Sequence, residues 1–167
     1  LLDRSVAVKI AKRTSVRDRQ RVDRFLREAK SAALLRHPNI IPVFEYGTLD
    51  GTHFIAYQFI EGQTLKAWFE DDQGHSLEAR IEVLAKIASA LDYAHQNGII
   101  HRDIKPANFV MGSDTSELCF CIDFGLSKRY RNPHTLAHIP HRVGKSLTGT
   151  PRYFGDWWMV DGSVIDI

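Results

Sequence analysis

Two short runs must meet in space for this chain to do chemistry, and that requirement limits the fold more than any other feature. The first is His101-Arg102-Asp103-Ile104-Lys105-Pro106-Ala107-Asn108; the second, fifteen residues after Asn108, is Asp123-Phe124-Gly125. Together they offer one carboxylate beside a lysine and an amide, then a second carboxylate on a glycine-hinged turn. Asp103 can accept a hydroxyl proton and Lys105 can neutralise a phosphate. Asn108 and Asp123 can supply hard oxygens to magnesium. Such a set suits phosphoryl transfer only if the intervening chain doubles back. Phe109-Val110-Met111 and residues 118–122 read as two short strands around a turn, which brings Asn108 and Asp123 to one place.

The upstream half supplies a frame for that site. Residues 5–10 alternate Val6, Val8 and Ile10 with Ala7 and Lys9, a strand pattern. A helix is expected over 18–35, where Val22, Phe25, Leu26, Ala29 and Ala33 form an apolar stripe that Glu28 borders; His37-Pro38 ends it. Arg17, Arg19, Arg21, Arg24 and Arg27 read as its solvated face. Residues 40–46 and 52–60 read as antiparallel strands joined through Asp50-Gly51, with Pro42 interrupting the first or marking an edge. A short helix over 64–69 follows. A long helix then runs from an N-cap at Ser76 to Gly98, with the stripe Leu77, Ile81, Leu84, Ala88, Leu91 and Ala94.

These motifs, in this order, resemble a eukaryotic-type protein serine/threonine kinase over residues 5–153. The resemblance implies an α+β, protein-kinase-like bilobal fold, truncated at both ends, with a small antiparallel-sheet N-lobe carrying one helix and a mainly helical C-lobe. It divides the chain into a partial N-lobe (1–60), a partial C-lobe with catalytic loop and activation segment (61–153) and an atypical tail (154–167). It implies that Asp103 is the catalytic base, that Lys105 assists it, and that Lys9 of Val6-Ala7-Val8-Lys9 holds ATP phosphates while paired with Glu28. Ala7, Tyr57 at the gatekeeper position, backbone groups of Gln58 and Ile60, and Val110 would surround the adenine. Asn108 and Asp123 would ligate Mg2+, and Thr150 would bond Asp103 and Lys105. Arg102 would meet an anion. ATP, Mg2+ and a protein substrate with a serine or threonine acceptor are the implied cofactors and partner.

Downstream, Lys128-Arg129-Tyr130-Arg131, Ile139-Pro140-His141-Arg142 and residues 145–153 resemble the activation segment of the casein kinase one family. Arg27-Glu28-Ala29-Lys30 and His37-Pro38-Asn39-Ile40-Ile41 resemble bacterial-type serine/threonine kinases instead. From 123 to 153 six lysines and arginines stand against Asp123 as the sole acid. Arg142 and Lys145 are therefore expected to favour acidic or already phosphorylated substrates. Ser146 and Thr148 are candidate phosphosites. His134, His138 and His141 lack a fourth ligand for zinc.

Composition sets outer bounds. The chain has 167 residues, 44% hydrophobic and 25% charged, enough for one compact domain. Its net charge of +2 gives no reason to expect nucleic acid as a partner. No apolar run approaches the roughly 20 residues of a membrane span. Cys119 and Cys121 read as buried hydrophobes of a reducing compartment, so an intracellular location, cytoplasmic or nuclear, is expected; a membrane anchor elsewhere in a longer chain is compatible with that. No glycine-rich loop precedes Lys9, and Phe154-Gly155-Asp156 stands where most kinases carry Ala-Pro-Glu. The expectation is thus a kinase gene product of which this stretch alone is weakly active or inactive and aggregation-prone. The alternative is an impaired or pseudokinase module that binds nucleotide or a partner.

Overall fold

The computed structural model describes residues 4–11, 19–71, 74–113, 118–132, 135 and 137–139, with backbone alone at 19–21, 24, 159–160 and 163–164. Strand β1 (Val6–Ile10) pairs antiparallel with β3 (Thr52–Gln58), which pairs on its other side with β2 (Val43–Leu49). The β2–β3 turn uses positive φ at both Asp50 (49°) and Gly51 (71°), as an Asp-Gly hairpin requires. β2 starts after Pro42, because proline has no N–H for the ladder; the expected strand start at 40 survives only as a lone bridge from Ile40 to Cys121.

Helix α1 (Arg19–Ala33) lies on this sheet. Its buried stripe is Phe25, Glu28, Ala29 and Ala32, one position round from the expected one at its end, so that Ala33 is exposed and a carboxylate is inside. Of β1, Ala7 packs inward, whereas Val6, Val8 and Ile10 are exposed. The apolar alternation therefore marks the outer face of the strand.

β4 (Gly62–Thr64) leads to α2 (Leu65–Glu70), which Thr64 caps by accepting from the Ala67 N–H. α3 (Leu77–Gln96) is capped by Ser76 as expected, through the Ala79 N–H, and closes on Gly98 at φ 74°. Most of the long apolar stripe assigned to α3 is not its packing face, and of its six residues only Ala94 is buried. Val83, Ala90 and Ala94 are buried, while Leu77, Ile81 and Leu84 are 67%, 56% and 56% exposed. The helix is apolar on two sides, and the side with smaller residues lets β5 (Ile99–Ile100) and β7 (Cys119–Cys121) approach closely. β6 (Phe109–Gly112) pairs with both β4 and β7; β5 pairs with β8 (Lys128–Arg129). A two-residue hairpin, β9 (Met159–Val160) with β10 (Ser163–Val164), completes the described backbone.

Two apolar clusters result. The smaller joins Phe25, Ala29, Ile41, Ile55 and Tyr57; the larger gathers α3, β6 and β7 around Phe109 and Phe124 and takes in Ala32 and Leu35. α1 belongs to both, through Phe25 and Ala29 in one and Ala32 in the other. Whatever moves α1 therefore moves against two cores at once.

Candidate active site

From the β1 side, Lys9 reaches across to α1. Its Nζ lies 2.7 and 2.8 Å from the two Glu28 oxygens, and 3.3 Å from Asp123 Oδ1. Glu28 is 3% exposed. A carboxylate so enclosed is tolerable only with strong donors. Burial works against the Lys9 charge, yet the Glu28 bond and charge, with Asp123 adding, outweigh it and raise the pKa above the ordinary 10.5. Lys9 and Glu28, distant along the chain, are brought together, and Asp123 joins them through a contact that the sequence reading did not name.

The second group forms after β5. Asp103 is buried, and its Oδ2 is 2.7 Å from Lys105 Nζ and accepts from Asn108 Nδ2 at 3.0 Å. The same Asn108 amide donates to the Asp103 carbonyl at 2.7 Å. With its NH2 turned to Asp103, the Asn108 carbonyl oxygen is the end directed elsewhere. A one-turn 3-10 helix, Pro106–Asn108, makes this possible by folding Asn108 back over Asp103.

Backbone bonds tie the two groups into one site. The Ile122 N–H donates to the Asn108 carbonyl at 2.9 Å. His101, fully buried, accepts from the Asp103 N–H at Nδ1, so Nε2 carries the proton that goes to the Ile122 carbonyl at 3.1 Å. Burial leads in lowering the His101 pKa, with the Ile122 carbonyl, Asp123 and Asp103 pulling the other way. A neutral imidazole fits both bonds.

Backbone strain concentrates here. Among the described residues, three other than glycine have positive φ, and two are Arg102 (64°) and Asp123 (62°). Each such residue costs on the order of 1 kcal/mol or more and persists only where neighbours hold it. Asp123 Oδ1 accepts from the Gly125 N–H at 3.2 Å, and Arg102 Nε donates to the Leu126 carbonyl at 2.7 Å. Arg102 thus braces the Asp123 turn through the backbone, a role its position next to Asp103 did not disclose. Gly125 is needed for space: a Cβ there would stand 3.0 Å from Asp123 Oδ1 and 3.1 Å from Glu28 Oε2.

Around the cleft, Val110 points to the opposite face of β6 from buried Phe109 and Met111. Ala7 and Ile60 pack on the smaller cluster. The Gln58 N–H is taken by the Pro42 carbonyl at 3.0 Å, so of its two backbone groups only the carbonyl is a candidate for a base. Tyr57 is buried, and its hydroxyl donates to Glu28 Oε1 at 2.6 Å, a contact the sequence reading missed. Thr150, Arg142, Lys145, Ser146 and Thr148, like His134 and His141, lie outside the described residues. Among the described residues no helix is long and apolar enough to cross a membrane.

Residues 2–161 match the family described as protein kinase domain. A probable serine/threonine-protein kinase of Clostridium perfringens is 36% identical over 153 residues, covering 92% of this chain and 21% of the relative. PrkC, a serine/threonine-protein kinase of Bacillus subtilis, is 39% identical over 144 residues, 86% of this chain and 22% of its own. PknB of Mycobacterium leprae, of the same description, is 36% identical over 154 residues, 90% and 24% respectively. The chain spans about a fifth to a quarter of the length of these curated relatives. With the match running nearly end to end and the paired motifs meeting in one site, the chain belongs to the protein kinase domain family.

Proposed function

We propose that the protein is an ATP-dependent serine/threonine kinase, transferring the γ-phosphate to hydroxyls of protein substrates. The observation that carries this is the closed arrangement of Lys9, Glu28 and Asp123 beside the Asp103–Lys105–Asn108 group. The buried residues of the smaller cluster all precede 61, and those of the larger lie mostly after 60, with Ala32, Leu35 and Ile40 crossing over; this supports lobes over 1–60 and 61–153 that share α1.

Asp103 is held through Oδ2 by Lys105 and Asn108, which aims its carboxylate as the acceptor of the substrate hydroxyl proton. As that proton leaves, the hydroxyl oxygen forms its bond to the γ-phosphorus, the bond to the β–γ bridging oxygen breaks, and the electron pair departs with ADP. Lys105 and Lys9 place positive charge on either side of the transferring group. Asn108 Oδ1 and the Asp123 carboxylate, 44% exposed, are hard oxygens that suit magnesium and would hold it. Such an ion, when bound, neutralises charge on the phosphates. Tyr57, Ala7, Ile60, Val110 and the Gln58 carbonyl would line the base site. Lys105 two residues after the base, and Thr150 by match, support serine and threonine acceptors. The excess of basic residues over 128–152, which also carries the casein-kinase-one-like pattern, supports acidic or primed substrates met by Arg142 and Lys145, with Arg102 near an anion.

Phosphate transfer from labelled ATP to casein, with Asp103→Asn and Asp123→Ala as controls, tests the reading. Incorporation that each variant lowers by about a hundredfold or more is the expected result. Nucleotide binding without transfer would instead favour the non-catalytic module. Charge reversal of Arg142 and Lys145 is expected to lower the ratio of acidic- to basic-peptide turnover.

A further inference from the structure

We infer that Tyr57 is a positioning residue for the Lys9–Glu28 pair: its hydroxyl, donated to Glu28 Oε1, holds α1 in place before any nucleotide arrives. The inference rests on the kinase reading above only for the activity it would govern. The geometry stands alone.

Three elements converge on one carboxylate. In the β1–β3 ladder Ala7 faces Tyr57 and Lys9 faces Ile55, so Lys9 and Tyr57 sit two residues out of register on adjacent strands. Side chains so related share a face and are within reach of a common group when long. Here the common group is Glu28, on the buried stripe of α1. Its Oε1 receives both donors, from Lys9 at 2.7 Å and from Tyr57 at 2.6 Å.

The two donors differ in stiffness. Lys9 is a flexible chain with 44% of its side chain exposed, and is drawn also toward Asp123. Tyr57 has two rotatable side-chain bonds, is 8% exposed and is packed with Phe25, Ala29, Ile41 and Ile55. A phenol–carboxylate bond of this length is charge-assisted and among the stronger kinds. Burial, then the Glu28 charge and bond, raise the Tyr57 pKa far above 10, so the donor keeps its proton at any working pH. The rigid leg of the clamp is therefore the tyrosine, and the lysine is left able to meet a phosphate without releasing the helix.

Tyr57→Phe tests this, because it removes the hydroxyl and keeps the ring in the core. The full chain is compared as wild type, Tyr57→Phe, Glu28→Gln and the double variant. Two readouts are taken: ATP kinetics, and amide hydrogen exchange of 19–33 without nucleotide. Tyr57→Phe is expected to lose about tenfold in kcat/KM for ATP, the size of one hydrogen bond to a charged group, with KM for the protein substrate unchanged. Exchange in α1 is expected to quicken about tenfold, and by distinctly less when Tyr57→Phe is added to Glu28→Gln, whose neutral amide oxygen accepts the hydroxyl more weakly than the carboxylate does. Unchanged α1 exchange in Tyr57→Phe overturns the inference. So does an equal effect in the Glu28→Gln background, or acceleration spread evenly over β1, β2 and β3. Absence of turnover in the wild type defeats only the kinase reading, since the exchange measurement still decides the role of Tyr57.

Discussion

Lys9→Met separates what the Lys9–Glu28 pair does for stability from what it does for chemistry. Glu28 receives both Lys9 contacts and the Tyr57 bond while almost wholly buried. At these separations and an effective dielectric near 20, the gross attraction is about 6 kcal/mol. Most of that offsets desolvation of the two ions. Breaking a fully buried pair costs roughly 3–5 kcal/mol, whereas an exposed pair is worth about 0–1. With Lys9 44% exposed and Tyr57 still bonded, the expected loss lies between, at about 2 kcal/mol. For a chain of this length that lowers Tm by about 4–8 °C. The cost arises from a stranded carboxylate, so adding Glu28→Gln to Lys9→Met should recover about half of it. Neither variant should regain phosphate transfer. Urea unfolding followed by circular dichroism, at constant m-value, measures the first part. If the double variant is less stable than Lys9→Met by the full cost of Glu28→Gln alone, the stranded-charge reasoning is wrong.

The same pair sets a pH dependence. Because the folded-state pKa of Lys9 is raised, its contribution is fully present below 10.5 and is lost as pH climbs through the higher folded value; urea midpoints taken from pH 9 to 11.5 should fall more steeply in wild type than in Glu28→Gln. On α3, Ile81→Glu and Leu84→Glu should change unfolding free energy by no more than about 0.5 kcal/mol while reducing self-association in light scattering, since both sites are over half exposed. Burial pushes the Cys119 thiol up to about 11 and Cys121 higher still, so at pH 8 neither should react with a thiol reagent until denaturant opens the larger core; rapid labelling of the folded chain would contradict the packing of β7.

Much of the frame was legible because it is written in local chemistry. Ser76 caps its helix where a short polar residue precedes an apolar run, and Asp50-Gly51 turns the hairpin through positive φ; Thr64, read as the first residue of its helix, is instead the cap. Of the proposed site residues, Asp103, Lys105, Asn108 and Asp123 were singled out by kind and spacing, and Lys9 and Glu28 through the kinase resemblance. Less legible were α3 and α1, where periodicity finds an apolar face but not the face that is covered. Leu77, Ile81 and Leu84 carry the bulk of the expected stripe and are exposed, and of that stripe only Ala94 is packed, beside Val83 and Ala90 from outside it, since close approach of β7 favours small side chains. Tyr57 was named only through the resemblance, at the gatekeeper position. Its bond to Glu28 was not legible, because it links positions 29 apart on two different elements, β3 and α1.

By itself, then, the amino-acid order pointed to which residues could do chemistry and to where the longer helices and strands lie, since caps, turns and motifs act over a few neighbours. Only the tertiary structure decided which faces are buried, that Arg102 braces the Leu126 backbone, and that Glu28 receives a second donor. The last of these depends on the simultaneous placement of β1, β3 and α1, and no short stretch of chain contains the information to place all three.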